Sequence, residues 1–187
     1  GRGGRRWAAG RDAYVIDGSK RFISHGSIAD ILVVFAVTDP EAPRHRRLSA
    51  FVVELPTEGF AVARLEHKMG LRGSPTAELV FDGVRVSAAN RLGAEGDGFD
   101  IAMRTLDRSR PGIAAQAVGI AQGALEVATQ YARELRQFGQ RIGDFQQIGA
   151  MLADMDAGTE AARQLLYRAC VEIDADAPDA SRWSAMC

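Results

Sequence analysis

The stretch "VRVSAANRLGAEGDGFDIAMRTL", Val84 to Leu106, changes its period in the middle. Upstream of Gly93 the chain is a series of short β-rich runs: "AYVI", "KRFIS", "ILVVFAV", "SAFVVE", "FAVARL", "AELVF" and "VRV". Turn residues separate them, and Asp17-Gly18 and Asp82-Gly83 read as hairpin signals. Downstream of Gly98 the spacing becomes helical. A first helix is expected from about Phe99 to about Leu135, with Pro111 kinking or dividing it. In a second, Ile148, Met151, Leu152, Met155, Ala162, Leu165, Leu166 and Ala169 recur at i, i+3, i+4 along one face. Asp144 and Gln147 resemble a capping box at its start. A third helix is expected between "DAPDAS" and Cys187. Strands followed by helices, not alternating with them, predict an α+β chain. The expected organisation is a β-sheet or barrel-like domain over 14–93 and part of an antiparallel helical bundle over 97–187. Residues 1–13, rich in glycine and arginine, read as a disordered or non-native lead-in. A helix starting so close to the last residue predicts a fragment.

At 187 residues and 47% hydrophobic, the chain has enough apolar material for a real core. Its formal net charge of −1 supplies no global basic field for nucleic acid or an anionic membrane. The longest apolar run, Ile31 to Val37, is far too short to span a bilayer. Two cysteines, Cys170 and Cys187, make no disulfide framework, which fits a reducing compartment and a cytoplasmic protein. The three histidines have no metal-ligand spacing, so no metal site is expected. Neither a P-loop nor a glycine-rich dinucleotide fingerprint is present.

Four segments carry chemistry, each with a bland alternative. In "KRFISHG", Lys20 to Gly26, strand alternation puts Lys20, Phe22 and Ser24 on one face and Arg21 and Ile23 on the other. A ring beside a hydroxyl suits a flat, hydrogen-bonding ligand, although by itself the run reads as an ordinary strand. "KMGLRGSPTAELVFDGVRV", Lys68 to Val86, is a shaped loop entering a strand, held by Arg72 or carrying function. In "LDRSRPG", Leu106 to Gly112, Asp107 and Arg110 lie one helical turn apart, and the arginines could take an anion bidentately. The alternative is a solvated helix face. "RELRQFGQRIGDFQ", Arg133 to Gln146, ends a helix at Phe138-Gly139, either as a plain connection or as an aromatic presented to a partner.

Taken together and in this order, these blocks resemble the acyl-CoA dehydrogenase flavoprotein family over roughly Tyr14 to Cys187. The similar segments are "YVIDGSKRFISHGSIAD", "KMGLRGSPTAELVFDGVRV", "GFDIAMRTLDRSRPGIAAQAVGIAQGALEVATQYA" and "RQFGQRIGDFQQIGAMLADM". The resemblance implies the family's middle β domain and the start of its C-terminal four-helix domain. It implies FAD as cofactor, with Phe22 and Ile23 against the flavin and the Ser24 hydroxyl reaching its N5. Asp107, Arg108, Ser109 and Arg110 match the stretch contacting the CoA part of an acyl-CoA substrate; Arg44 and His45 lie near a variable loop that approaches the CoA adenine. Arg136, Gln137, Phe138, Phe145 and Gln146 match a segment reaching the FAD of a neighbouring subunit, so a homotetramer or homodimer is implied.

The activity implied is α,β-dehydrogenation of an acyl-CoA thioester, with electrons passed to an electron-transfer flavoprotein. An acyl-CoA oxidase, or a non-catalytic acyl-CoA-binding or assembly subunit on the same scaffold, stays open at this point. The sequence departs from the family at two places. The family's glutamate base falls in a late segment, beyond Cys187 here, or at the position of Ser109, which cannot act as a base. No catalytic residue is therefore expected in this chain. Leu135 stands where an arginine is usual, with Arg136 next to it, and one residue along a helix turns a side chain by about 100°.

Overall fold

The computed structural model describes residues 12–187 in full and residues 6–8 as backbone. The chain divides into two compact units, Gly1–Met103 and Arg104–Cys187.

In the first unit the strands are β1 (Arg6–Ala8), β2 (Ala13–Ser24), β3 (Ile31–Val37), β4 (Leu48–Glu54), β5 (Phe60–Leu65), β6 (Thr76–Ser87) and β7 (Arg91–Leu92). Among the described residues they form two antiparallel sheets, ordered β1-β2-β6-β5 and β3-β4-β7, and no closed barrel. Part of the 1–13 lead-in is thus sheet: Arg6 pairs with Ile16 and Ala8 with Tyr14, and Ala13 already belongs to β2. The rest of that lead-in, up to residue 11, lies outside the described residues. β6 shows the half-buried alternation clearly, with Ala77, Leu79 and Phe81 inward, then Val84 and Val86. They meet Leu32, Val34, Phe51 and Val53 of the second sheet in one core.

The Asp-Gly pairs are not hairpin turns. Both lie inside long strands, where Ile16 faces Val84 but Gly18 faces Phe81. Two steps on β2 oppose three on β6, which is a β-bulge. Gly18 and Gly83 have φ of 133° and 67°, a region open to glycine, and the Asp17 carboxylate accepts the Gly83 N–H at 2.7 Å. The chemistry that makes Asp-Gly a turn also bends a continuous strand.

A buried polar node closes this unit. Ser49, fully buried, accepts the Gly96 N–H at 2.9 Å, and its hydroxyl lies 2.7 Å from the buried Thr38 hydroxyl. Ser49→Ala would leave the Gly96 donor without that acceptor. An unsatisfied buried polar group costs about 1–3 kcal/mol, so the unfolding free energy of this variant is expected to fall by that amount, lowering the denaturant midpoint at unchanged m-value. An unshifted midpoint would contradict the assignment.

Helix α1 (Gly98–Glu134) runs unbroken past Pro111 and into the second unit. Proline lacks the N–H that would reach the carbonyl of Asp107 four residues back. That carbonyl instead accepts the Ser184 hydroxyl at 2.5 Å. The expected division is therefore absent, and the freed acceptor is satisfied from outside the helix. After α1 come a small hairpin, β8 (Arg136–Gln137) and β9 (Gln140–Arg141), then α2 (Gln146–Asp174) and α3 (Ala180–Met186). The capping box does not form. Asp144 ends a single 3-10 turn, the N-cap of α2 is Phe145, and no side chain caps it. The stripe along α2 is only partly inward. Leu166, Ala169 and Thr159 are buried, while Met151, Met155 and Ala162 are exposed. Among the described residues no helix is long and apolar enough to cross a membrane.

Candidate functional site

At the end of β2 the simple alternation fails. Lys20 pairs with Leu79 and Ile23 with Ala77, so three steps on β2 face two on β6. The extra residue resets the faces. Lys20 and Ile23 both turn inward, lining one cavity with Leu32, Val34 and Leu79. Lys20 donates to the Phe35 carbonyl at 2.7 Å, and burial holds its ammonium below the usual lysine value. Arg21 turns outward and donates to Glu78 at 2.9 Å. That hydrogen bond holds the Glu78 carboxyl below the usual carboxylate value, which makes it a poor proton acceptor. The expected grouping of Lys20 with Phe22 and Ser24 is thus corrected, whereas Phe22 and Ser24 do remain together on the outer side.

Phe22 sits at φ 57° and is 71% exposed. A bulky residue in the left-handed region with its ring in water is strained and unrewarded by burial, a pairing that marks functional positions. The Ser24 side chain is exposed and has no hydrogen-bond partner among the described residues. Ile23, expected beside them, directs its side chain into the core.

Next to Ser24 the loop 66–75 is braced from within. His25, at φ 59°, donates its N–H to the Pro75 carbonyl at 2.7 Å, and its Nε2 lies 3.0 Å from the Ser74 hydroxyl. Lys68 donates to the Ser74 carbonyl and Arg72 to that of Lys68. His25 is not legible in the sequence as a site residue, because its partner Ser74 is 49 residues away. Its sequence signal is adjacency to Ser24.

In the second unit Arg110 donates to the Asp107 carboxylate at 2.8 Å, and Ser109 donates back to the Leu106 carbonyl at 3.2 Å. Arg108 and Ser109 are exposed. Arg136 opens β8, whereas Leu135 still closes the end of α1 by donating its N–H to the Tyr131 carbonyl at 2.9 Å, so the helical offset of about 100° per residue does not describe Arg136. Arg136 pairs directly across from Arg141, and Gln137 from Gln140. Phe138 at the hairpin tip has φ 52° and is 94% exposed; its ring meets the edge of Phe145, at 6.4 Å. Gln146 opens α2 and is exposed.

Two comparisons decide the family. Residues 5–84 match the acyl-CoA dehydrogenase middle domain and residues 96–187 the acyl-CoA dehydrogenase C-terminal domain. The chain belongs to the acyl-CoA dehydrogenase family.

A Bacillus subtilis acyl-CoA dehydrogenase is 53% identical over 83% of this chain and 41% of its own length. The Caffeyl-CoA reductase-Etf complex subunit CarC of Acetobacterium woodii is 45% identical over 87% of this chain and 43% of its own. Butyryl-CoA dehydrogenase from Megasphaera elsdenii superposes with a TM-score of 0.86 at 46% identity, over 93% of this chain and 45% of that one. The chain therefore spans less than half the length of these relatives.

Proposed function

We propose that this chain is part of an FAD-dependent enzyme that dehydrogenates an acyl-CoA thioester at its α,β bond and passes the electrons to an electron-transfer flavoprotein. The observation that carries the reading is the pair of strained, exposed phenylalanines, Phe22 and Phe138. Both lie in segments whose resemblance to the family implies contact with the cofactor, one in each unit. The residues present fit a flavin: Phe22 offers an apolar ring face, and Ser24 a hydroxyl free to donate. When bound, FAD supplies the acceptor for the β-hydrogen, leaving as hydride.

This chain's own residues bind and orient. Phe22 walls the flavin and Ser24 donates to it, while Ile23 packs behind them. Asp107, Arg108, Ser109 and Arg110 form the CoA-facing stretch, with Arg110 as the cation paired to Asp107. Arg136, Gln137, Phe138, Phe145 and Gln146 face the cofactor of a second subunit in a homo-oligomer. Ser109 cannot take a proton from carbon, so it is not the base. The Etf complex to which the Acetobacterium woodii relative belongs supports the electron acceptor.

The test is anaerobic titration of the purified full-length protein with a panel of acyl-CoA thioesters. Bleaching of a bound flavin's visible band by at least one, reversed by electron-transfer flavoprotein faster than by oxygen, is the expected outcome. A protein that carries no flavin, or whose flavin none of them bleaches, would overturn the reading; peroxide formation would turn it into an oxidase.

A further inference from the structure

Asp107 is more heavily engaged than a surface partner for Arg110 needs to be. Its Oδ1 accepts from Arg110, its Oδ2 from the Ser181 hydroxyl, and its main-chain oxygen from the Ser184 hydroxyl at 2.5 Å. The main-chain oxygen is open to Ser184 only because Pro111, four residues on, has no N–H to fill it. Pro111 is buried and Ser184 is 1% exposed, and the Ser184–Asp107 hydrogen bond is partly buried, so water replaces a lost partner there only in part. The two serines lie on α3, more than 70 residues along the chain.

We infer that α3 sets the aim of Arg110 through Asp107, with Ser184 as the positioning residue on which this depends. The inference rests on the proposed acyl-CoA reading. The Arg110 side chain is 41% exposed, and only its Nη1 is committed to Asp107, which leaves further N–H groups of its fork to meet an anion. A guanidinium binds phosphate well when its plane is fixed, because the geometry is bidentate. Asp107 fixes that plane from one side. Asp107 is itself fixed twice, by Ser181 at its carboxylate and by Ser184 at its backbone. Without Ser184 the first turn after Leu106 keeps an unpaired carbonyl, and the carboxylate loses its fixed base.

The role separates from plain helix–helix packing by what the ligand contains. In the full-length protein, Ser184→Ala is expected to weaken binding of a CoA thioester about fivefold, the scale of part of one charge-assisted hydrogen bond. The pantetheine thioester of the same acyl group lacks the nucleotide phosphates, and its affinity should move by less than about twofold. Restoring the missing donor should rescue. In P111A/S184A the backbone N–H regained at position 111 can fill the Asp107 carbonyl within α1, and CoA affinity should return. Ser181→Ala should shift CoA affinity in the same direction with no fold at risk, since Ser181 is exposed. Equal losses for both thioesters, no loss in S184A, or no rescue by Pro111→Ala would overturn the inference and leave Ser184 a packing residue. Should S184A fail to fold, the double variant and Ser181→Ala decide alone. Wild-type protein that binds neither thioester would instead strike the proposed function, and this inference with it.

Discussion

Ser24→Ala in the full-length protein is expected to slow flavin reduction by acyl-CoA about 100-fold, the scale of removing one preorganised donor from a site of developing charge. The substitution deletes a single oxygen. Ser24 is exposed at the end of β2, opposite Thr76, and its hydroxyl holds nothing within the chain among the described residues. Surface changes of that kind shift stability by no more than about 0.5 kcal/mol. The melting midpoint should therefore stay while the reduction rate falls, and the protein should release FAD more readily on dilution. Ser24→Thr keeps the donor and should retain most of the rate. If the alanine variant reduces its flavin and holds FAD like the parent, Ser24 is not the donor.

The α+β order, the change of period between Gly93 and Gly98, and the outward pairing of Phe22 with Ser24 are all legible in the sequence. Each depends on neighbours within a few residues, where alternation and turn chemistry operate. What escapes lies at bulges and long separations. Asp-Gly has the same backbone freedom in a turn and in a bulge, so Gly18 and Gly83 offer no means of telling a hairpin from two bent strands. The bulge after Lys20 reverses the faces of Lys20 and Arg21 for the same reason. Pro111 reads as a divider because a helix cannot show, from its own sequence, that a serine 77 residues from Asp107 will fill the vacated carbonyl. Asp144 fails as a cap because the preceding 3-10 turn absorbs it. Met151 and Met155 on α2 carry the right spacing for an inward face, yet lie exposed. Period alone tells which residues share a face, not what covers it.

The other large effect is expected on stability. Phe51→Ala should cost the β unit about 4 kcal/mol, within the usual range for emptying a buried phenylalanine site. Phe51 is fully buried at the middle of β4, paired with Val34 of β3 and Arg91 of β7. Its ring packs 4.8 Å from that of Tyr14, on β2 in the other sheet. The residue thus joins the two sheets, and no neighbour can fill the cavity without shifting paired backbone. Natural domains are stable by only about 5–15 kcal/mol, so this one truncation removes a large share. Phe51→Leu keeps most of the apolar volume and should lose much less. Thermal and denaturant unfolding of the two variants measure the difference; equal midpoints for Phe51→Ala and the parent would refute the central place given to Phe51. The functional consequence differs in kind from that of Ser24. Tyr14 lies at the opposite end of β2 from Phe22 and Ser24. Below its lowered midpoint, Phe51→Ala should hold and reduce its flavin as the parent does, and lose both together as the β unit melts. Phe51 on β4 reaches β2 only through Tyr14, far from Phe22 and Ser24, so only the site variant should change the rate while the protein stays folded.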